Sequence, residues 1–130
     1  QTNASMPEYV LQRAHEAVEA NGIDDPSKVG IYGLTYKEDV DDVRESPTLQ
    51  MLETMESHLC GRPMKVFDPW VESNVVPNQV HSMEEFLEGL EMVIVMIGHS
   101  QVKGKPELFG SRVLIDPRDV MGAGENVWKL

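Results

Sequence analysis

A single cysteine, Cys60, stands among 130 residues, so no intrachain disulfide can form and a reducing compartment is the simplest expectation. Cations are scarce as well. Eleven Lys and Arg face 22 Asp and Glu, a formal charge of −11 that works against attraction to nucleic acid phosphates or an anionic membrane. No apolar run nears the roughly 20 residues that a bilayer crossing needs, so the chain reads as soluble and cytoplasmic. Gln1 is followed by no basic-then-apolar leader, and the chain reads as a piece of a longer protein. His15, His58, His81 and His99 lack paired ligand spacing and the acidic clusters lack an EF-hand glycine pattern, so no metal site is expected. Gly30 and Gly33 fall short of the three-glycine dinucleotide fingerprint. They either relieve crowding where helices cross a sheet, the commoner role, or touch a phosphate directly.

What is present is ordinary globular composition, 41% apolar and 25% charged, in a chain long enough for one core. Ser5 and Glu8 have capping-box spacing. Val10, Ala14, Ala17 and Val18 then repeat at helical intervals until Asn21-Gly22, which predicts a helix over 5–21. Lys28–Leu34 reads as a central strand buried on both faces. Ser46 and Pro47 open a second helix with Leu49, Leu52, Met55 and Leu59 on one stripe, ended by Gly61. Met64–Asp68 is the next strand, 71–81 shows no clear pattern, and Ser82 with Glu85 caps a helix containing Phe86, Leu87 and Leu90. Met92–Ile97 is a third buried strand, Gly104 and Pro106 break any helix over 100–109, and Arg112–Asp116 is a fourth strand. The tail from Gly122 is expected to be loose.

Apolar strands alternating with amphipathic helices specify an α/β sandwich with a mainly parallel sheet, whose ligands bind beyond the strand carboxyl ends. That rule gathers Thr35–Ser46, Asp68-Pro69, Gly98-His99-Ser100 and Asp116-Pro117-Arg118 at one edge. The first of these loops is the most informative, because about a dozen residues stand where a parallel connection needs only a few. It carries Lys37, Arg44 and five carboxylates, Glu38, Asp39, Asp41, Asp42 and Glu45. The ammonium can orient an oxygen or water and the guanidinium fork suits a pyrophosphate or ribose, although pairing within the loop is the default for such charges. Arg118, just past a strand end, could reach a base or phosphate or form a surface ion pair. His99 could meet a ligand, but more often such a residue caps backbone groups. Cys60 lies beside Gly61 at the end of the second helix, with no histidine within two positions on its carboxyl side and no helix amino terminus, and reads as structural.

Gly33-Leu-Thr-Tyr-Lys37 followed by Asp41-Asp42-Val-Arg44-Glu-Ser46-Pro47 resembles the Gly-Leu-Ala-Phe-Lys...Asp-Asp-x-Arg-Glu-Ser-Pro signature of the UDP-glucose/GDP-mannose dehydrogenase family. Ser5-Met6-Pro7, Phe67-Asp68-Pro69 and Ile115-Asp116 fall in the family's order, and the likeness is to its carboxyl-terminal domain. The resemblance implies a Rossmann-like three-layer sandwich, with 1–22 as the end of a central linking helix and 23–130 as the UDP-sugar-binding domain. It implies further that NAD binds to an amino-terminal domain of the full-length chain, which pairs as a homodimer through the linking helix. In that family a C6 alcohol is oxidised twice through a cysteine-bound intermediate. The cysteine lies in a Gly-Gly-x-Cys motif that this chain lacks, so Cys60 cannot inherit the role and the chain alone is expected to be inactive.

Position by position, the resemblance makes Lys37 the residue that positions substrate or hydrolytic water. The backbone around Tyr36, which replaces the usual phenylalanine, would lie against the UDP portion, Arg44 would reach NAD, and Arg118 resembles the arginine that contacts the substrate nucleotide in UDP-glucose enzymes. Gly98-His-Ser-Gln-Val-Lys103 is most similar to the Asp-His-Ser-Gln-Phe-Lys segment of UDP-N-acetylmannosamine dehydrogenases, with Val102 in place of phenylalanine. This implies an N-acetylhexosamine substrate for surface polysaccharide synthesis, with UDP-glucose and GDP-mannose as the alternatives. Two other classes compete: a stand-alone nucleotide-binding or interaction module, and a receiver-like signalling domain suggested by Asp68 and Asp116 at strand ends.

Overall fold

The computed structural model describes residues 6–23, 28–35, 65–76, 78–110, 112–117, 121–122 and 127–129. The helix expected from Pro47, with Cys60 and Gly61, lies outside these residues. Strands β1 (Val29–Tyr32), β2 (Lys65–Phe67), β3 (Gln79–Val80), β4 (Met92–Val95), β5 (Val113–Asp116) and β6 (Val127–Lys129) form one sheet. Its order is β3-β2-β1-β4-β5-β6, and every pairing is parallel. The chain runs outward from β1 to β3, then restarts on the other side of β1. That reversal opens a crevice between β1 and β4 at their carboxyl ends, the position where doubly wound sheets bind ligands.

Strand alternation sorts the core into two layers. Val29, Ile31, Val66, Met92, Ile94, Val113 and Ile115 pack with Val10, Ala14 and Ala17 of helix α1 (Met6–Ala20). Tyr32, Phe67, Val93, Val95 and Leu114 face Phe86 of helix α2 (Met83–Leu87), together with Leu90, Val102 and Phe109. With β1, β4 and β5 buried at every position, both faces are covered, as an all-parallel sheet requires.

The helix ends follow the signals in the sequence. Beyond α1, Gly22 adopts φ 68°, its N–H donates to Glu19 O, and Ile23 N–H donates to Val18 O at 3.0 Å, while Ile23 and Val18 join the same core. These bonds form the Schellman arrangement that Asn21-Gly22 predicts. At α2, Ser82 Oγ accepts from Glu85 N–H at 3.2 Å, the expected cap. Lys65 Nζ closes the other end, donating to Glu85 O and Glu88 O at 2.9 and 2.6 Å. Between residues 100 and 109, turns lead to one 3-10 helix, Pro106–Phe109, in keeping with the expected break.

Two expectations are corrected. The segment 71–81 is not wholly irregular, because β3 adds to β2 through Val66↔Gln79 and Phe67↔Val80. The tail beyond Gly122 is not loose throughout, because β6 pairs with β5 from Val127 to Lys129. Both are edge strands of two or three residues, too short to show periodicity. The Arg112–Asp116 strand is accordingly the fifth in the chain.

Candidate nucleotide site at the sheet switch point

Gly33 turns the chain as it leaves β1. Its φ is +104°, and a Cβ there would lie 2.7 Å from both the Cβ and the backbone N of Ile97. Gly30 faces the α2 layer, where a Cβ would overlap Leu90 Cδ1 and lie 2.8 Å from Phe86 Cε1. Both glycines therefore permit close packing, the commoner of the two roles considered. At both positions the space a Cβ would take is filled by protein atoms.

Thr35, Asp68 and His99, from the exits of β1, β2 and β4, meet in the buried interior at 0%, 2% and 1% exposure. Asp68 Oδ2 accepts from Leu34 N–H at 2.7 Å, Thr35 N–H at 3.1 Å and His99 Nε2 at 2.9 Å. Its Oδ1 accepts from Trp70 N–H at 2.8 Å. A carboxylate only accepts, so Nε2 carries the hydrogen facing it, with Thr35 Oγ1 3.4 Å from the same nitrogen. Oδ2 thus takes three donors and Oδ1 one, and at 2% exposure Asp68 is enclosed by the protein.

Tyr32 packs edge-on against Phe67, His99 and Phe109, and its hydroxyl donates to Gln101 Oε1 at 2.9 Å. Val102 is fully buried beside these rings, so the phenylalanine-to-valine departure falls on a core position. Ser100 and Lys103 are the residues of this segment, with Gln101, that face outward. Trp70, which sequence reasoning passed over, is 45% exposed with its ring 6.3 Å from that of His99. Asp116 Oδ2 accepts from Met121 N–H at 2.9 Å and so closes the loop after β5.

Three of the four loops expected at one edge thus meet through side chains at the switch point, and Asp116 braces the fourth. Tyr36, Lys37, Arg44 and Arg118 themselves lie outside the described residues. Among the described residues no three His, Cys, Asp or Glu side chains gather as a metal site. No helix of the described residues is long and apolar enough to cross a membrane.

A doubly wound parallel sheet with polar groups converging at its switch point places the chain in the Rossmann-like class of α/β domains, which bind ligands at that crevice. The UDP binding domain of the UDP-glucose/GDP-mannose dehydrogenase family matches residues 30–123, and the chain belongs to this family. It is 27% identical to a UDP-N-acetyl-D-mannosamine dehydrogenase of Methanococcus vannielii, over 98% of this chain and 30% of that one. It is 30% identical to an NDP-N-acetyl-D-galactosaminuronic acid dehydrogenase of Ralstonia nicotianae, over 95% of this chain and 29% of the relative. The structure of the UDP-N-acetyl-mannosamine dehydrogenase Cap5O from Staphylococcus aureus superposes with a TM-score of 0.75 at 28% identity, covering 96% of this chain and 30% of that one. The chain thus spans about three tenths of the length of these relatives.

Proposed function

We propose that this chain is the nucleotide-sugar-binding part of an NAD-dependent 6-dehydrogenase that converts the C6 alcohol of UDP-N-acetylmannosamine to a carboxylate for surface polysaccharide. The observation that carries the reading is the family match over residues 30–123, a span containing all four loops at the carboxyl edge of the sheet. The N-acetylhexosamine preference is supported by the names of the Methanococcus, Ralstonia and Staphylococcus relatives and by the Gly98–Lys103 segment. A different UDP-N-acetylhexosamine is the second reading, favoured by the Ralstonia relative. UDP-glucose and GDP-mannose follow it.

In this account residues 23–130 bind the UDP-sugar, and 1–22 end the helix that links the amino-terminal and carboxyl-terminal domains of a full-length chain, which forms a cytoplasmic homodimer. The cofactor is held by the amino-terminal domain of the full-length chain. NAD supplies the hydride acceptor, while this chain orients substrate. Tyr36 and Arg118 contact the nucleotide, Lys37 positions the sugar or hydrolytic water, and Arg44 reaches across to the cofactor. Without the Gly-Gly-x-Cys cysteine the chain alone is inactive.

Steady-state kinetics of the full-length protein test these roles. Lys37→Ala lowers turnover by about 100-fold or more with folding intact, and near-normal turnover removes its catalytic role. Arg44→Ala chiefly raises the KM for NAD. An unchanged KM removes the cofactor contact.

A further inference from the structure

Asp68 joins three segments that are distant in sequence. One carboxylate holds Leu34 and Thr35 at the exit of β1, Trp70 in its own loop, and His99 at the exit of β4. The bonds at Leu34 and Thr35 lie immediately before the turn that contains Lys37. His99 begins the segment through Lys103, whose remainder is held by the Tyr32–Gln101 bond and the buried Val102. The two loops assigned to the substrate are therefore tied to each other through two buried side chains.

We infer that Asp68 and His99 are positioning residues that fix the Thr35 turn relative to the 99–103 segment, so that the spacing between the two is set before substrate arrives. The inference rests on the nucleotide-sugar reading and deepens it. The physical reason is the sensitivity of catalysis to placement: a displacement of about 1 Å in a positioning group costs on the order of 100-fold in rate. Groups held by buried charge-assisted hydrogen bonds resist such displacement better than groups held by loop packing alone. Neither residue needs to touch substrate. Both are almost completely buried, and their bonds are spent on the protein.

The test uses the full-length protein, with kcat and KM for the nucleotide sugar, KM for NAD and the melting temperature measured for each variant. Asp68→Ala would strand several buried donors at once, so His99 is the better probe. His99→Leu is expected to lower kcat/KM for the nucleotide sugar by about 30-fold or more, with the KM for NAD within about twofold of wild type. Glutamine carries an N–H to nearly the reach of Nε2, and His99→Gln is expected to recover activity to within about fivefold. Asparagine stops short, and His99→Asn should resemble His99→Leu, which keeps the comparison available if leucine prevents folding.

Equal losses in the Gln and Asn variants overturn the positioning role. So does a His99→Leu protein that melts earlier yet keeps its wild-type kcat/KM for the sugar. If wild-type full-length protein turns over no nucleotide sugar, the functional reading fails and takes the inference with it. An active wild type with equal Gln and Asn variants overturns the inference alone.

Discussion

At Gly33 and Gly30 the same missing Cβ answers two different demands. The Gly33 Cβ would press on the backbone nitrogen and Cβ of Ile97, which cannot yield, from a left-handed conformation that L-residues avoid. The Gly30 Cβ would meet the ends of Leu90 and Phe86, which can shift. Gly33→Ala is therefore expected to cost about 2–4 kcal/mol and Gly30→Ala about 1–3 kcal/mol, read from urea unfolding midpoints. A Gly33→Ala cost smaller than that of Gly30→Ala would contradict this account. Here the two glycines serve packing within the sheet layers.

At the scale of elements, Arg112 secures the junction of α2, β4 and β5. Its Nε donates to Leu90 O at 3.0 Å, one terminal nitrogen to Leu87 O at 2.8 Å and the other to Phe109 O at 3.1 Å. Three carbonyls at the ends of short elements thereby gain a charged donor. Arg112→Met should lower stability by about 2 kcal/mol in thermal or urea unfolding. Arg112→Lys should recover only part, because an ammonium cannot present the planar fork. No difference between Met and Lys would show that the stem, not the donors, matters. The cap at Ser82 is worth less, about 1 kcal/mol in a Ser82→Ala variant.

Elements also decide what could be read from the chain. β1, β4 and β5 are buried at every residue, and such strands announce themselves as continuous apolar runs. β3 and β6 depend on a neighbouring strand for their existence, and neither carries a repeat long enough to detect. The loops at the carboxyl edge followed from the alternation of strands and helices, whereas their mutual bonding did not. Asp68 lies 31 residues before His99, and Thr35 lies 64 residues before it, so their contact exists only once the β4 crossover has returned beside β1. His99 shows this most clearly, because its bonds to Asp68 and Thr35 join segments far apart in sequence. The roles of Tyr36, Lys37, Arg44 and Arg118 rest on the family signature and the kinetic variants proposed above.

At the scale of the whole molecule, the chain spans about three tenths of its relatives, and one sheet edge carries all the loops assigned to the ligand. With a formal charge of −11, a diphosphate must be held by local cations against the field of the domain as a whole. Binding should then weaken when Lys37 or Arg118 is neutralised, by about tenfold for each, even if the sheet is unchanged. The most direct measurement is calorimetric titration of the full-length protein with UDP, GDP, UDP-N-acetylmannosamine and UDP-glucose. The account predicts UDP binding at least about tenfold tighter than GDP, and UDP-N-acetylmannosamine binding tighter than UDP-glucose. GDP binding as tightly as UDP, or no binding of any uridine nucleotide, would contradict it.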